Sequence, residues 1–151
     1  MNILILGDVM GVSGRKALKK NLPKIIDRNE IEFSIINGEN AADDGKGITK
    51  EIAEEFFFLG IDVITSGNHI WDKKEITSYI ENENRLLRPA NLADGSPGKG
   101  FGIYFTKDQK YKIGVINLMG NVFMRKTEDV FKTAQEISKK IILKKTVDFS
   151  I

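Results

Sequence analysis

Dense apolar runs alternate with amphipathic ones along the first half of the chain. Asn2–Gly7 (NILILG) is almost wholly apolar, as expected of a strand covered on both faces. Gly11, Ser13 and Gly14 interrupt it. Ala17, Leu18, Leu22, Ile25 and Ile26 then fall at roughly helical spacing, with Pro23 expected to kink that helix or restart it. Glu32–Asn37 (EFSIIN) predicts a second strand, followed by a polar loop from Gly38 to Gly47. Thr49 suits the N-cap of a helix whose apolar face is Ile52, Ala53, Phe56, Phe57 and Leu59, ended by Gly60. Ile61–Ser66 (IDVITS) predicts strand three, and Lys73–Ile80 a short helix.

Beyond this the pattern loosens. RLLRPANLADGSPGKG, rich in proline and glycine, reads as irregular. Phe101–Thr106 and Tyr111–Asn117 are expected to pair as a hairpin around KDQK. A loop, a helix near Glu128–Lys140 and a last strand at Ile141–Phe149 complete the reading. Strands alternating with helices predict an α/β fold with a mixed sheet whose first strands are parallel. No repeat or interdomain linker divides residues 1–151, which are expected to form a single domain.

Composition narrows the class. With 41% hydrophobic and 29% charged residues, the chain reads as a soluble globular protein. Its apolar runs fall short of the ~18–20 residues that cross a bilayer, so no membrane association is expected. MNILILGDVMG lacks the features of a signal peptide, and a cytoplasmic location is the default. The absence of cysteine excludes disulfides, thiolate metal sites and cysteine nucleophiles. A net charge of +2 gives no basic stripe. Lys139, Lys140, Lys144 and Lys145 read as a solvated face, and no DNA partner is expected. Homo-oligomerisation stays open.

The first three predicted strands each end in a loop with reactive polar groups: Asp8 in GDVMG, Glu39 and Asn40 in NGEN, and Asn68 and His69 in GNH. Ligands of open parallel sheets bind outside the carboxyl ends of the strands. Neighbouring parallel strands would therefore bring these groups to one edge. There Asp8 and Glu39 could hold divalent cations, and Asn68 could add an amide oxygen. His69 could protonate a leaving oxygen. Taken singly, each has a plainer reading. Asp8 and NGEN suit turns or caps, His69 could be an ordinary packed histidine, and Trp71 suits packing. Gly7, Gly11 and Gly14 raise a phosphate-cradling loop as a competitor, but their spacing fits neither G-x-G-x-x-G nor the P-loop.

Four stretches together, MNILILGDVMGVSGRKAL, IINGENAADDGKGIT, DVITSGNHIWDKKEI and RLLRPANL, closely resemble the YmdB-like branch of the calcineurin-type metallophosphoesterases. The resemblance runs from Met1 to about Phe149. It implies an α/β/β/α sandwich with two divalent metal ions, iron or manganese. It also implies phosphodiesterase activity on small phosphodiesters such as 2′,3′-cyclic nucleotides. By the same resemblance Asp8, Glu39, Asn40 and Asn68 are metal-site residues and His69 is catalytic. The wider superfamily carries D-x-H at its first motif and aspartate in its second. Here Asp8-Val9-Met10 and Glu39 stand there, as the YmdB-like branch has them.

The family pattern also has further histidines, one in a D-F-H-A-E-like motif and two in H-x-H. Here the chain reads VDFSI, with Ser150 at the first of these positions, and His69 is its only histidine. The expectation is therefore a C-terminally truncated member holding the N-terminal part of the sandwich. Its half-built site of oxygen donors would favour Mg²⁺ or Mn²⁺, activity would be impaired, and one sheet face would be uncovered. The alternative is a non-enzymatic remnant of the fold that binds nucleotides or a partner.

Overall fold

A computed structural model describes residues 1–124 and 127–151. The loop expected between Asn117 and Glu128 includes 125–126, which lie outside the described residues. Among the described residues, no helix is long and apolar enough to cross a membrane.

Strands β1 (Asn2–Asp8), β2 (Ile31–Asn37), β3 (Val63–Thr65) and β4 (Leu86–Leu87) form a sheet in the order β1-β2-β3-β4. Every neighbouring pair in it is parallel. Helices α1 (Gly11–Arg28), α2 (Lys50–Phe58) and α3 (Ile76–Ile80) supply the crossovers. They bury one face: Leu18 and Leu22, Ile52 and Phe56, and Ile76 and Ile80 pack with Ile36, Ile64 and Leu86 in one apolar cluster. Ser34 Oγ lies 2.8 Å from both Gly60 O and Asp62 Oδ2, sharing its one proton between them, which ties the start of β3 to β2. Burial raises the Asp62 carboxyl above its ordinary pKa while the Ser34 hydrogen bonds oppose that rise.

The other face meets a second sheet, β5-β6-β7, made of β5 (Phe101–Phe105), β6 (Lys112–Ile116) and β7 (Phe149–Ser150). β5 and β6 are antiparallel, as the hairpin reading expected, while β7 runs parallel to β6. Mixed strand sense is thus confined to this second sheet. Phe33, Ile35, Val63 and Leu87 from the first sheet interleave with Ile113 and Val115 from the second. Helix α4 (Val130–Ser138) closes the outer side, with Ile137 against Ile141, Val147, Phe101 and Ile116. The layers run helix, sheet, sheet, helix.

Several sequence-based boundaries move. Helix α1 begins at Gly11 directly after β1 and passes through Pro23 without a break. Pro23 lies on the exposed side, where water can satisfy the carbonyl it leaves unbonded. The segment expected to be irregular contains β4, whose two residues are too few to show a period. The expected final strand, Ile141–Phe149, is mostly a turn. Thr146 Oγ1 accepts from the Ile142 N–H at 2.7 Å, Lys144 has a φ of 60°, and β7 begins only at Phe149. Short side-chain-to-backbone bonds of this kind compete with strand pairing.

The expected uncovered face is confined to one edge. Ile3 and Ile5 of β1 align with Phe33 and Ile35, so all four point at the second sheet. Phe33 is 0% exposed, whereas Ile5 is 61% exposed because the second sheet covers β2 and β3 more fully than β1. Phe33→Ala is therefore expected to cost about 3–5 kcal/mol in urea unfolding. Ile5→Ala on the same face should stay within about 0.5 kcal/mol. Equal losses at the two positions would contradict this arrangement of the sheets.

Candidate functional site

Parallel pairing in sequence order sets the carboxyl ends of β1, β2 and β3 side by side. Asp8 pairs with Asn37, and Asn37 with Thr65, so the loops carrying Asp8, NGEN and GNH are neighbours. Asn37 Oδ1 accepts from the Glu39 N–H at 3.0 Å, bending the chain just after β2. Gly11 N–H donates to Asn40 O at 2.8 Å, joining the first loop to the second.

All five residues singled out from the sequence meet at this edge. Asn40 Nδ2 donates to Asp8 Oδ2 at 2.8 Å, which leaves the amide oxygen of Asn40 for another partner. Glu39 Oε2 is buried and has no hydrogen-bond partner. Burial first, and the negative charge of Asp8 second, raise the Glu39 carboxyl above its ordinary pKa. The nearby His69 ring and the backbone N–H of Asn68 pull it the other way. Gly67 makes room for this carboxylate: a Cβ there would overlap Glu39 Oε2 and stand 2.6 Å from Cδ. An alanine at this glycine of GNH would displace the Glu39 carboxylate from its place.

His69 Nδ1 lies 2.7 Å from Asp72 Oδ2, and the Asp72 N–H donates to His69 O at 3.0 Å. Ile70, fully buried between them in sequence, anchors the turn in the helix-side core. Trp71 packs against the same core, in keeping with the packing role expected of it.

Several residues that organise the loops were not singled out from the sequence. Arg15 donates to Ala41 O and pairs with Asp43 at 2.6 Å, holding the second loop to α1. Lys73 pairs with Asp44 at 2.8 Å, holding the same loop to the segment after His69, and lowers the Asp44 carboxyl below its usual range. Asn117 Nδ2 donates to Ser66 O at 2.8 Å and Leu87 O at 3.0 Å, fastening the end of β6 to the end of β3. The ADDG acidic pair was legible as charge, but its partners lie about thirty residues away in sequence.

Burying one unpartnered carboxylate oxygen beside a second carboxylate has a cost in stability. The folded state holds the Glu39 proton more tightly than the unfolded chain does. The stability due to that proton is fully present below the ordinary value of 4.5 and is lost as pH rises through the raised one. Glu39→Gln is accordingly expected to raise the melting temperature at neutral pH in metal-free buffer, with the gain shrinking below pH 4.5. A lower melting temperature at neutral pH would contradict the strain assigned to this carboxylate.

Known proteins share this fold. A 2′,3′-cyclic-nucleotide 2′-phosphodiesterase from Bacillus subtilis is 45% identical over 137 residues, covering 91% of this chain and 51% of that protein. A crystal structure of a hypothetical protein from Thermus thermophilus superposes with a TM-score of 0.87 at 33% identity, over 99% of this chain and 56% of the other. A novel phosphatase from Mycoplasma pneumoniae gives a TM-score of 0.86 at 32% identity, over 99% of this chain and 53% of the other. The chain spans about half the length of the curated relatives it matches. The family described as YmdB-like protein matches residues 4–151. On that match, and on a fold shared with solved structures at about one-third identity, the chain belongs to the YmdB-like protein family.

Proposed function

We propose that this chain carries residues of a metal-dependent phosphodiesterase site acting on phosphodiesters such as 2′,3′-cyclic nucleotides. The observation that carries the reading is Glu39 Oε2, buried without a partner while Asp8 adds negative charge beside it. A divalent cation relieves that arrangement, because it supplies the positive charge and the missing bond at once. The carboxylates of Asp8 and Glu39 would hold it, with the amide oxygens of Asn40 and Asn68. Such an all-oxygen set suits Mg²⁺ or Mn²⁺ more than the imidazole-rich sites that suit iron. Among the described residues, no group of three or more His, Cys, Asp or Glu lies together, and the proposed set draws on two amides as well as two carboxylates. When bound, the metal supplies charge neutralisation at the phosphoryl group and a more acidic water.

The chain's own groups do the rest. The Asn40 amide orients Asp8, and the Gly67 gap admits the Glu39 carboxylate. His69, near enough to Glu39 to lower its pKa, stands at the same edge and gives a proton to the leaving oxygen. The name of the B. subtilis relative supports the substrate class.

Calorimetry of the 151-residue chain with Mn²⁺ should show saturable binding. Glu39→Gln or Gly67→Ala should weaken it about 10–100-fold, since each disturbs the same carboxylate. No binding by the unmodified chain would sink the metal reading. In a chain extended to the length of the relatives, His69→Ala should lower kcat for 2′,3′-cyclic nucleotides about 10²–10⁴-fold with metal affinity kept. Undiminished turnover would remove His69 from the proton-transfer role.

A further inference from the structure

We infer that Asp72 is a positioning residue that selects which nitrogen of His69 faces the reacting group. This rests on the proton-donor role proposed for His69, but its structural content stands apart from activity. Nδ1 of the ring lies 2.7 Å from Asp72 Oδ2, the distance of a charge-assisted hydrogen bond. A carboxylate can only accept, so the contact requires a proton on Nδ1. Among the described residues, Nε2 has no hydrogen bond. The ring's other nitrogen is therefore the one left for the edge where Glu39 lies.

The turn is built to hold this pair. The Asp72 N–H donates to His69 O at 3.0 Å, so the two residues close one turn and their side chains meet over it. Ile70 within that turn is fully buried, fixing its rotation against the core. From outside, the second loop presses on it: a Cβ at Gly47 would lie 3.1 Å from His69 O and 3.4 Å from Asp72 Cβ. Lys73, the next residue, is tied to Asp44 of that loop at 2.8 Å. A surface aspartate that merely solubilised the loop would need none of this bracing.

In the charged ring both nitrogens carry protons. The Nε2–H bond breaks as the leaving oxygen gains its proton, and the neutral ring remains as the Nδ1–H tautomer, still bonded to Asp72. A ring without this contact would not be held with Nε2 toward the edge.

His69 is the only histidine in the chain, so long-range ¹H–¹⁵N spectra of the uniformly labelled 151-residue protein report it without ambiguity. At a pH where the ring is neutral, the unmodified protein should show the Nδ1–H tautomer as the dominant form. Asp72→Ala should shift the population toward Nε2–H, the form favoured by free imidazole side chains in water, while Asp72→Glu should restore part of the Nδ1–H form. A dominant Nε2–H tautomer in the unmodified protein would overturn the assignment whatever the variants do. So would an unchanged tautomer in a folded Asp72→Ala protein. Loss of the phosphodiesterase reading would show instead as absent Mn²⁺ binding and turnover with the tautomer intact.

Discussion

Parallel pairing of β1, β2 and β3 in chain order is the constraint on which everything else in this molecule rests. It makes β2 an interior strand, so Phe33 and Ile35 bury toward one sheet while Ile36 buries toward the helices. Because parallel neighbours share a direction, the same pairing sends three successive loops to one edge. Asp8, Glu39 and His69 meet there although about sixty residues of chain separate the first from the last. The register matters as much as the order. A slip of one residue would turn Ile3 and Ile5 toward the helices and Leu4 and Leu6 away from them.

The acidic groups at that edge work against stability. An unpartnered oxygen on Glu39 and a second carboxylate on Asp8 are costs that the apolar core and the loop contacts must offset. The Arg15–Asp43 and Lys73–Asp44 pairs are exposed on their acidic side, so each contributes little to global stability. Their effect is local: they set the second loop between α1 and the turn after His69. Strain held at a site by surroundings that over-determine it is a common sign of chemistry rather than of packing.

The edge of the sandwich at β1 differs in kind from the site. Ile5 of β1 is exposed although its strand neighbour Ile35 is buried. The two sheets and α4 nonetheless cover β2 and β3, so the core of this chain is closed over its centre and open along one side. Relatives about twice as long share the fold of the part present here, with TM-scores of 0.87 and 0.86.

Much of this was written in local sequence. The apolar run NILILG, the Thr49 cap and the glycine at 60 declare their elements because the responsible forces act within a few residues. The motifs GDVMG, NGEN and GNH named the five residues that meet at the strand ends. Elements set by contacts from afar were not legible. β4 exists through pairing of Leu86 and Leu87 with β3, and the last strand shrank to two residues because Thr146 bonds its own turn. Likewise, GNHIWD showed a histidine and an aspartate three positions apart, a spacing that any surface turn could carry. Asp72 meets Nδ1 within one turn that the second loop braces from outside, and Gly67 is the gap into which Glu39 reaches because the sheet brings those loops together. Sequence by itself determined which groups were available and on which strands they ended. The tertiary structure decided which atoms face one another, because those distances are set by pairing between segments that no local pattern encodes.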